Sequence, residues 1–224
     1  MRSLDPWVPP PRPVLRTLQG RYTRLEPLDP LRHGEALYAA SMAPGAEARF
    51  RYLFESPQPR AGFDAWLAGA VQGSERLFFA VIDAHGNRCE GRQALMRIEP
   101  AHGVLEIGSI LWGPAIARTR VATESLYLTA GHVFDELGYR RFEWKCHAAN
   151  EPSRRAALRF GFQFEGIFRQ HMVHKGQNRD TAWFAMTDAD WQRLRPGYER
   201  WLAPDNFDPA GRQRSRLADC LNDP

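Results

Sequence analysis

From Arg76 to Trp112 the chain offers three strands in a row with nothing helical between them, and this run limits the possible folds more than any other feature. The segments RLFFAVID (76–83), GRQALMRIE (91–99) and GVLEIGSILW (103–112) are separated only by the turn signals AHGN (84–87) and PAHG (100–103). Connections this short join antiparallel neighbours, so the three form a meander. The next segment breaks that pattern. Residues 121–137 set Ala122, Leu126, Ala130, Val133, Phe134 and Leu137 at helical spacing and stop at Gly138. RRFEWKCH (140–147) then alternates Phe142, Trp144 and Cys146 against Arg141, Glu143, Lys145 and His147, which is strand period. A helix of this length between two strands suits a parallel crossover.

The remaining elements surround this centre. GRYTRLEPL (20–28) reads as a first strand, and 29–42 as a helix with Asp29 as cap and Pro30 at its first position. Residues 63–72 form a second helix. A helix opens at Asn150, with Pro152 in its first turn, and stops at Gly161; strands 162–175 and 180–187 follow, joined by GQNR. The order predicts a single α+β domain with a mixed, mostly antiparallel sheet between helical layers. Five prolines in the first thirteen residues make 1–19 an extended arm. The domain proper spans 20–187, and 188–224 is a helix with a polar tail. Trp191, Tyr198 and Trp201 on that helix suit either a docked face or a dimer contact, so the chain is expected to be a monomer or a homodimer.

Composition narrows the function. With 43% apolar and 25% charged residues, no long apolar run and no apolar core near the N-terminus, the chain reads as a soluble cytoplasmic protein with no membrane partner. Cys89, Cys146 and Cys220 lie far apart without a C-x-x-C pair, which argues for reduced thiols and against a disulfide framework or zinc site. His171 and His174, three apart in a strand, are expected on opposite faces, so no metal is expected. The net charge of +4 favours anionic ligands in general, but it comes from scattered residues with no block of like charge, which leaves nucleic-acid binding a weak alternative.

ARTRVATES (117–125) is the bend from the third meander strand into the buried helix. Thr119 can cap that helix, the N–H groups near Arg120, Val121, Ala122 and Thr123 point out of its first turn, and Arg118 and Arg120 add permanent charge. Such a turn suits a diphosphate. Asn150 and Ser153 read locally as an N-cap and a first-turn residue. Glu106 shares a strand face with Val104, Ile110 and Trp112 by simple alternation, which would desolvate it and suit a base; the alternative is a rim carboxylate paired with an arginine. His171, Glu143 and His147 are further candidates for proton relay.

Over residues 20–187 the sequence resembles the GNAT acyltransferases, in the branch containing the ribosomal-protein-alanine N-acetyltransferases. The resemblance rests on RLEPLDPLRHGEALYAA, LEIGSILWGPAIARTRVATESLYL, ELGYRRFEWKCHAANEPSRRAALRFGFQFEGIFRQ and NRDTAWFAM. It implies a sheet of about seven strands with a V-shaped splay, acetyl-CoA as co-substrate, and acetyl transfer to a primary amine by direct attack. Ile110 and Trp112 would line the pantetheine arm, with the Ile110 N–H polarising the carbonyl. The 118–123 turn would hold the pyrophosphate, Asn150 would contact the arm, and Ser153 would bind beside the cofactor's sulfur and protonate the departing thiolate. Arg118 and Arg120 stand where the family's loop has glycines. They could block the loop, or follow ordinary helical dihedrals and reach the phosphates themselves; the second is favoured because a helix start needs no positive φ. The acceptor would lie against the N-terminal helices and residues 169–180, near Phe50, Tyr52, Phe54 and Trp66. A non-catalytic CoA sensor is the alternative function.

Overall fold

In the computed structural model, which describes residues 4–222, the expected meander forms as β3 (Arg76–Asp83), β4 (Arg88–Glu99) and β5 (Val104–Trp112), paired antiparallel in sequence order. β2 (Thr23–Pro27) and the short β1 (Leu18–Gln19) extend one side. Helix α4 (Arg120–Gly131) carries the chain to β6 (Arg141–His147), which pairs parallel with β5. β7 (Gln163–His174) and β8 (Gln177–Thr187) complete the order β1-β2-β3-β4-β5-β6-β8-β7. The described residues thus hold eight strands where about seven were expected. The extra one, β1, is two residues long and has no period to read.

Both sheet faces are covered, which is why β3 is apolar at successive positions. On one face α1 (Pro30–Met42) and α3 (Arg60–Gln72) bury Leu37, Phe63 and Leu67 against Phe78, Ala80 and Ile82. On the other, α4, α5 (Glu151–Arg159) and α6 (Asp188–Leu202) set Leu126, Ala130, Ala157 and Trp191 against Leu105, Ile107, Phe142 and Trp144. Asp29 caps α1 through Leu31 and Arg32 N–H, as read from the sequence.

The differences have local causes. Helix α2 (Ala46–Phe50) is too short to show a period. The expected helix to residue 137 is α at first and a π turn from His132 to Glu136. In the polar tail, α7 (Leu217–Asn222) buries Leu217 and Leu221. Trp191, Tyr198 and Trp201 are buried within the chain's own core, so the face is docked internally; each ring contributes on the order of 2–3 kcal/mol. The arm is extended but tied down: Trp7 Nε1 donates to Ala101 O (2.8 Å), and Tyr139 Oη donates to Pro11 O (3.2 Å). The first three residues of that arm and the last two of the tail lie outside the described residues.

Two bulges shape the centre. Arg97 on β4 and Ser109 on β5 have φ of 47° and 49°. Register passes from Ala94↔Gly108 to Arg92↔Leu111, so β5 carries one extra residue. Leu105 and Ile107 face the α4 core before the bulge, and Ile110 and Trp112 face it afterwards. Glu106 therefore does not share a face with Ile110 and Trp112; the alternation expected from sequence reverses at Ser109. Beyond Ile107↔Trp144 the pairing of β5 with β6 ends while both strands continue, and the sheet opens into a V.

Candidate active site

A cavity of 830 Å³ occupies the V. Gly108–Trp112 of β5 form one wall, Trp144–His147 of β6 and the inner face of α5 the other. Gly113 N–H donates to Glu90 O (2.7 Å) across to β4. Backbone groups alternate sides along a strand, so Leu111 also faces β4 while Ile110 and Trp112 turn theirs into the gap. The Trp112 ring is fixed by a bond from Nε1 to Gln93 Oε1 (3.3 Å) and an edge contact with Phe160.

At one end the cavity meets the start of α4. Thr119 caps it as expected, its Oγ1 accepting from Val121 N–H (3.2 Å) and donating to Ile116 O (2.7 Å). The N–H groups of Arg120 and Ala122 have no partner among the described residues, leaving the positive end of the helix open. The two arginines part company. Arg118 is exposed, lines the cavity and carries no ion pair to a described residue. Its φ is 65°, so the expectation of ordinary helical dihedrals fails there: Arg118 precedes the cap and holds the left-handed conformation that a loop glycine would take. Arg120 does start the helix, but its guanidinium lies over the rings of Tyr22 (4.3 Å) and Phe207 (5.1 Å), outside the cavity lining. Thr119 and Val121 are also outside the lining, whereas Ala122 and Thr123 belong to it.

Helix α5 contributes Asn150, Ser153 and a residue that sequence reasoning missed. Asn150 Oδ1 accepts from Ser153 N–H (3.3 Å) as an N-cap. Ser153 Oγ accepts from Trp144 Nε1 (2.9 Å), so its own proton is left to donate, and it also lies within hydrogen-bond reach of the Cys146 thiol. Arg159 reaches back to Thr123 Oγ1 (3.1 Å) beside the α4 start, and burial lowers its proton affinity below the usual arginine range. The 3–4 spacing of Pro152, Ser153, Ala156, Arg159 and Phe160, all in the cavity wall, was the available signal.

Toward the other end lies Glu106, 3% exposed. Its Oε2 meets Arg97 Nη1 at 2.7 Å and Lys145 Nζ at 3.1 Å; Lys145 also pairs with Glu143 (2.6 Å) and sits over the Trp183 ring. Glu106 is thus paired as well as desolvated. His147 lines the cavity, with Nδ1 accepting from Ala149 N–H (3.0 Å); burial and then Arg179 hold its pKa below the usual histidine value. Glu143 and His171 are outside the lining. His171 binds Thr181 Oγ1 (2.9 Å), while His174 donates from Nε2 to Leu53 O (3.0 Å) and touches Phe54, which also contacts Arg179. The two rings share the face of Arg179 and Thr181 rather than opposing each other, because the register shifts between Phe168 and Met172. Tyr52 and Phe54 line the large cavity; Phe50 and Trp66 line a separate one of 140 Å³. Among the described residues no three His, Cys, Asp or Glu side chains gather to hold a metal, and no helix is long and apolar enough to cross a membrane.

A sheet parted between two parallel strands, with an open helix N-terminus on one side and a buried carboxylate on the other, defines an acyltransferase of the kind that takes its acyl group from a CoA thioester. Residues 24–163 match the family model described as an acetyltransferase (GNAT) domain, and the chain belongs to the GNAT acetyltransferase family. Solved structures agree. A GCN5-related N-acetyltransferase from Brucella melitensis is 56% identical, with a TM-score of 0.95 over 97% of this chain and 99% of that one. One from Chromobacterium violaceum, assigned to the GNAT family, is 37% identical with a TM-score of 0.79, over 86% and 96% of the two chains. A third, from T. thermophilus, is 26% identical with a TM-score of 0.76, over 86% of this chain and 100% of that one. No curated protein sequence matches the chain.

Proposed function

We propose that this acetyltransferase moves an acetyl group from acetyl-CoA to a primary amine, by direct attack with both substrates bound. The acceptor is a protein N-terminus, as in the ribosomal-protein branch the sequence resembles, an amino acid or another small amine. The observation that carries the reading is the cavity in the V, which joins the α4 N-terminus to Glu106 and passes Ser153.

The residues present fit the CoA moiety. Arg118, Ala122 and Arg159 all border the α4 end of the cavity, where the open helix N-terminus favours an anion, and Thr119 and Val121 hold the turn through the cap. Ile110 and Trp112 offer strand-like hydrogen bonds to an extended arm beside Asn150. Acetyl-CoA supplies an activated acyl carbon and a thiolate leaving group. The acceptor's neutral amine attacks that carbon: a C–N bond forms, the C–S bond breaks, and the Ile110 N–H stabilises charge on the carbonyl oxygen. Ser153 donates its proton to the departing sulfur. With a reference thiol pKa of about 8.5 that help is modest, about tenfold to a hundredfold. Glu106 takes the amine's proton directly or through a water, with Arg97 and Lys145 holding it in place. An α-amine, with a pKa of about 7.7–8.0, asks less of such a base than a lysine near 10.4.

The test is release of free thiol from acetyl-CoA across a panel of amines. Amine-dependent turnover supports the reading; tight acetyl-CoA binding without turnover by any amine would sink it in favour of a CoA sensor.

A further inference from the structure

Among the described residues three cationic side chains are almost fully buried, and two of them meet a carboxylate: Arg92 pairs with Glu55, and Lys145 with Glu106 and Glu143. Arg179, 6% exposed, has no carboxylate within ion-pair distance among the described residues. Its Nε donates to Thr181 Oγ1 (3.3 Å) and its guanidinium lies 5.2 Å from the Phe54 ring centre. The other four N–H donors bond no described residue, and Arg179 lines the large cavity. Nearby acids are engaged elsewhere. Glu106 holds Arg97 and Lys145, and Asp180 Oδ1 accepts from Gln170 N–H (2.7 Å) and Asn178 Nδ2 (3.0 Å). Burying a guanidinium without a counter-ion is expensive, and burial accordingly pulls its proton affinity below the usual range.

Position separates this cation from those at the α4 start. Thr181 pairs with His147 and Trp183 with Lys145, so Arg179, two residues before Thr181, projects from the face that carries Lys145. Helices α4 and α5 pack on the opposite face, with Trp144 and Cys146. The anion that Arg179 awaits is therefore not the phosphate at α4. It enters with the acceptor, on the side of Tyr52 and Phe54.

Building on the acetyltransferase reading, we infer that Arg179 is the carboxylate-binding residue of the acceptor site, and that the acceptor is a small amine carrying its own carboxylate: a free amino acid or a close derivative. A planar guanidinium with its outer donors open matches a carboxylate bidentately, while Thr181 and Phe54 fix its orientation. An amine lacking the carboxylate leaves the buried charge unpaired, which is a strong basis for rejection.

The test compares kcat/KM for free amino acids with that for their carboxamides, in the wild type and in R179Q and R179K. Removing the carboxylate charge lowers the amine's pKa, so chemistry alone favours the carboxamide. The expected wild-type result is a preference for the acid of at least tenfold, reduced to near unity in R179Q and partly kept in R179K. Carboxamides turned over as fast as acids by the wild type would overturn the carboxylate site and leave the acetyltransferase standing. If no amino acid or carboxamide is turned over, calorimetric titration of the protein–CoA complex with an N-acetyl amino acid and its carboxamide decides. Selective binding of the acid, lost in R179Q, supports the site; equal or no binding overturns it.

Discussion

Arg118 and Arg120 are two residues apart, yet the structure assigns them effects of opposite kind. Arg118 sits at φ 65°, a conformation that strains a non-glycine residue by about 1 kcal/mol; glycine's extra freedom in the unfolded chain takes back about 0.5–1 kcal/mol. R118G should therefore leave stability within about 0.5 kcal/mol, a Tm change under about 2 °C. It also removes an exposed charge at the cavity mouth, a contact to phosphate on the order of 1 kcal/mol, so acetyl-CoA should bind about fivefold to tenfold more weakly. R120A loses two cation–π contacts, with Tyr22 and Phe207, at about 0.5–1 kcal/mol each, and should lower Tm by about 2–8 °C. Its acetyl-CoA affinity should change less than twofold. Calorimetry and thermal melts on both variants give the four values. Equal weakening of binding by both substitutions would refute the division of roles, as would a melt in which R118G falls as far as R120A.

Other substitutions probe separate parts of the argument. S153A should lower kcat about tenfold to a hundredfold in steady-state assays while leaving the KM for acetyl-CoA nearly unchanged; an unaltered kcat would remove Ser153 from the chemistry. G197A would place a methyl 2.9 Å from Leu221 Cα at the α6–α7 contact, and should lower stability by about 1–3 kcal/mol in denaturant titrations. Burial opposes ionisation of Glu26, but Arg24, Arg32 and His33 outweigh it and hold its pKa below the usual value. Its contribution to stability is therefore full above about pH 4.3 and lost as pH falls through the lower folded value. The stability gap between wild type and E26Q should narrow across that acid range, and a gap that widens there would contradict the sign.

The sequence by itself determined the framework, the meander, the crossover helix and the caps at Asp29, Thr119 and Asn150, since period, turn residues and capping chemistry are local properties; the family was legible too, but through the resemblance of whole motifs such as NEPSRRAALRFGF. Tertiary structure decided the site. The bulge at Ser109 reversed the faces of β5 and separated Glu106 from Ile110 and Trp112. The bend before α4 put Arg118 into the left-handed region and turned Arg120 onto Tyr22 and Phe207. Arg159 and Arg179 gained meaning only from burial and from neighbours across the cavity. A carboxylate's partners, an arginine's missing counter-ion and the point where two strands part are set by residues distant in the chain, and no local period records them.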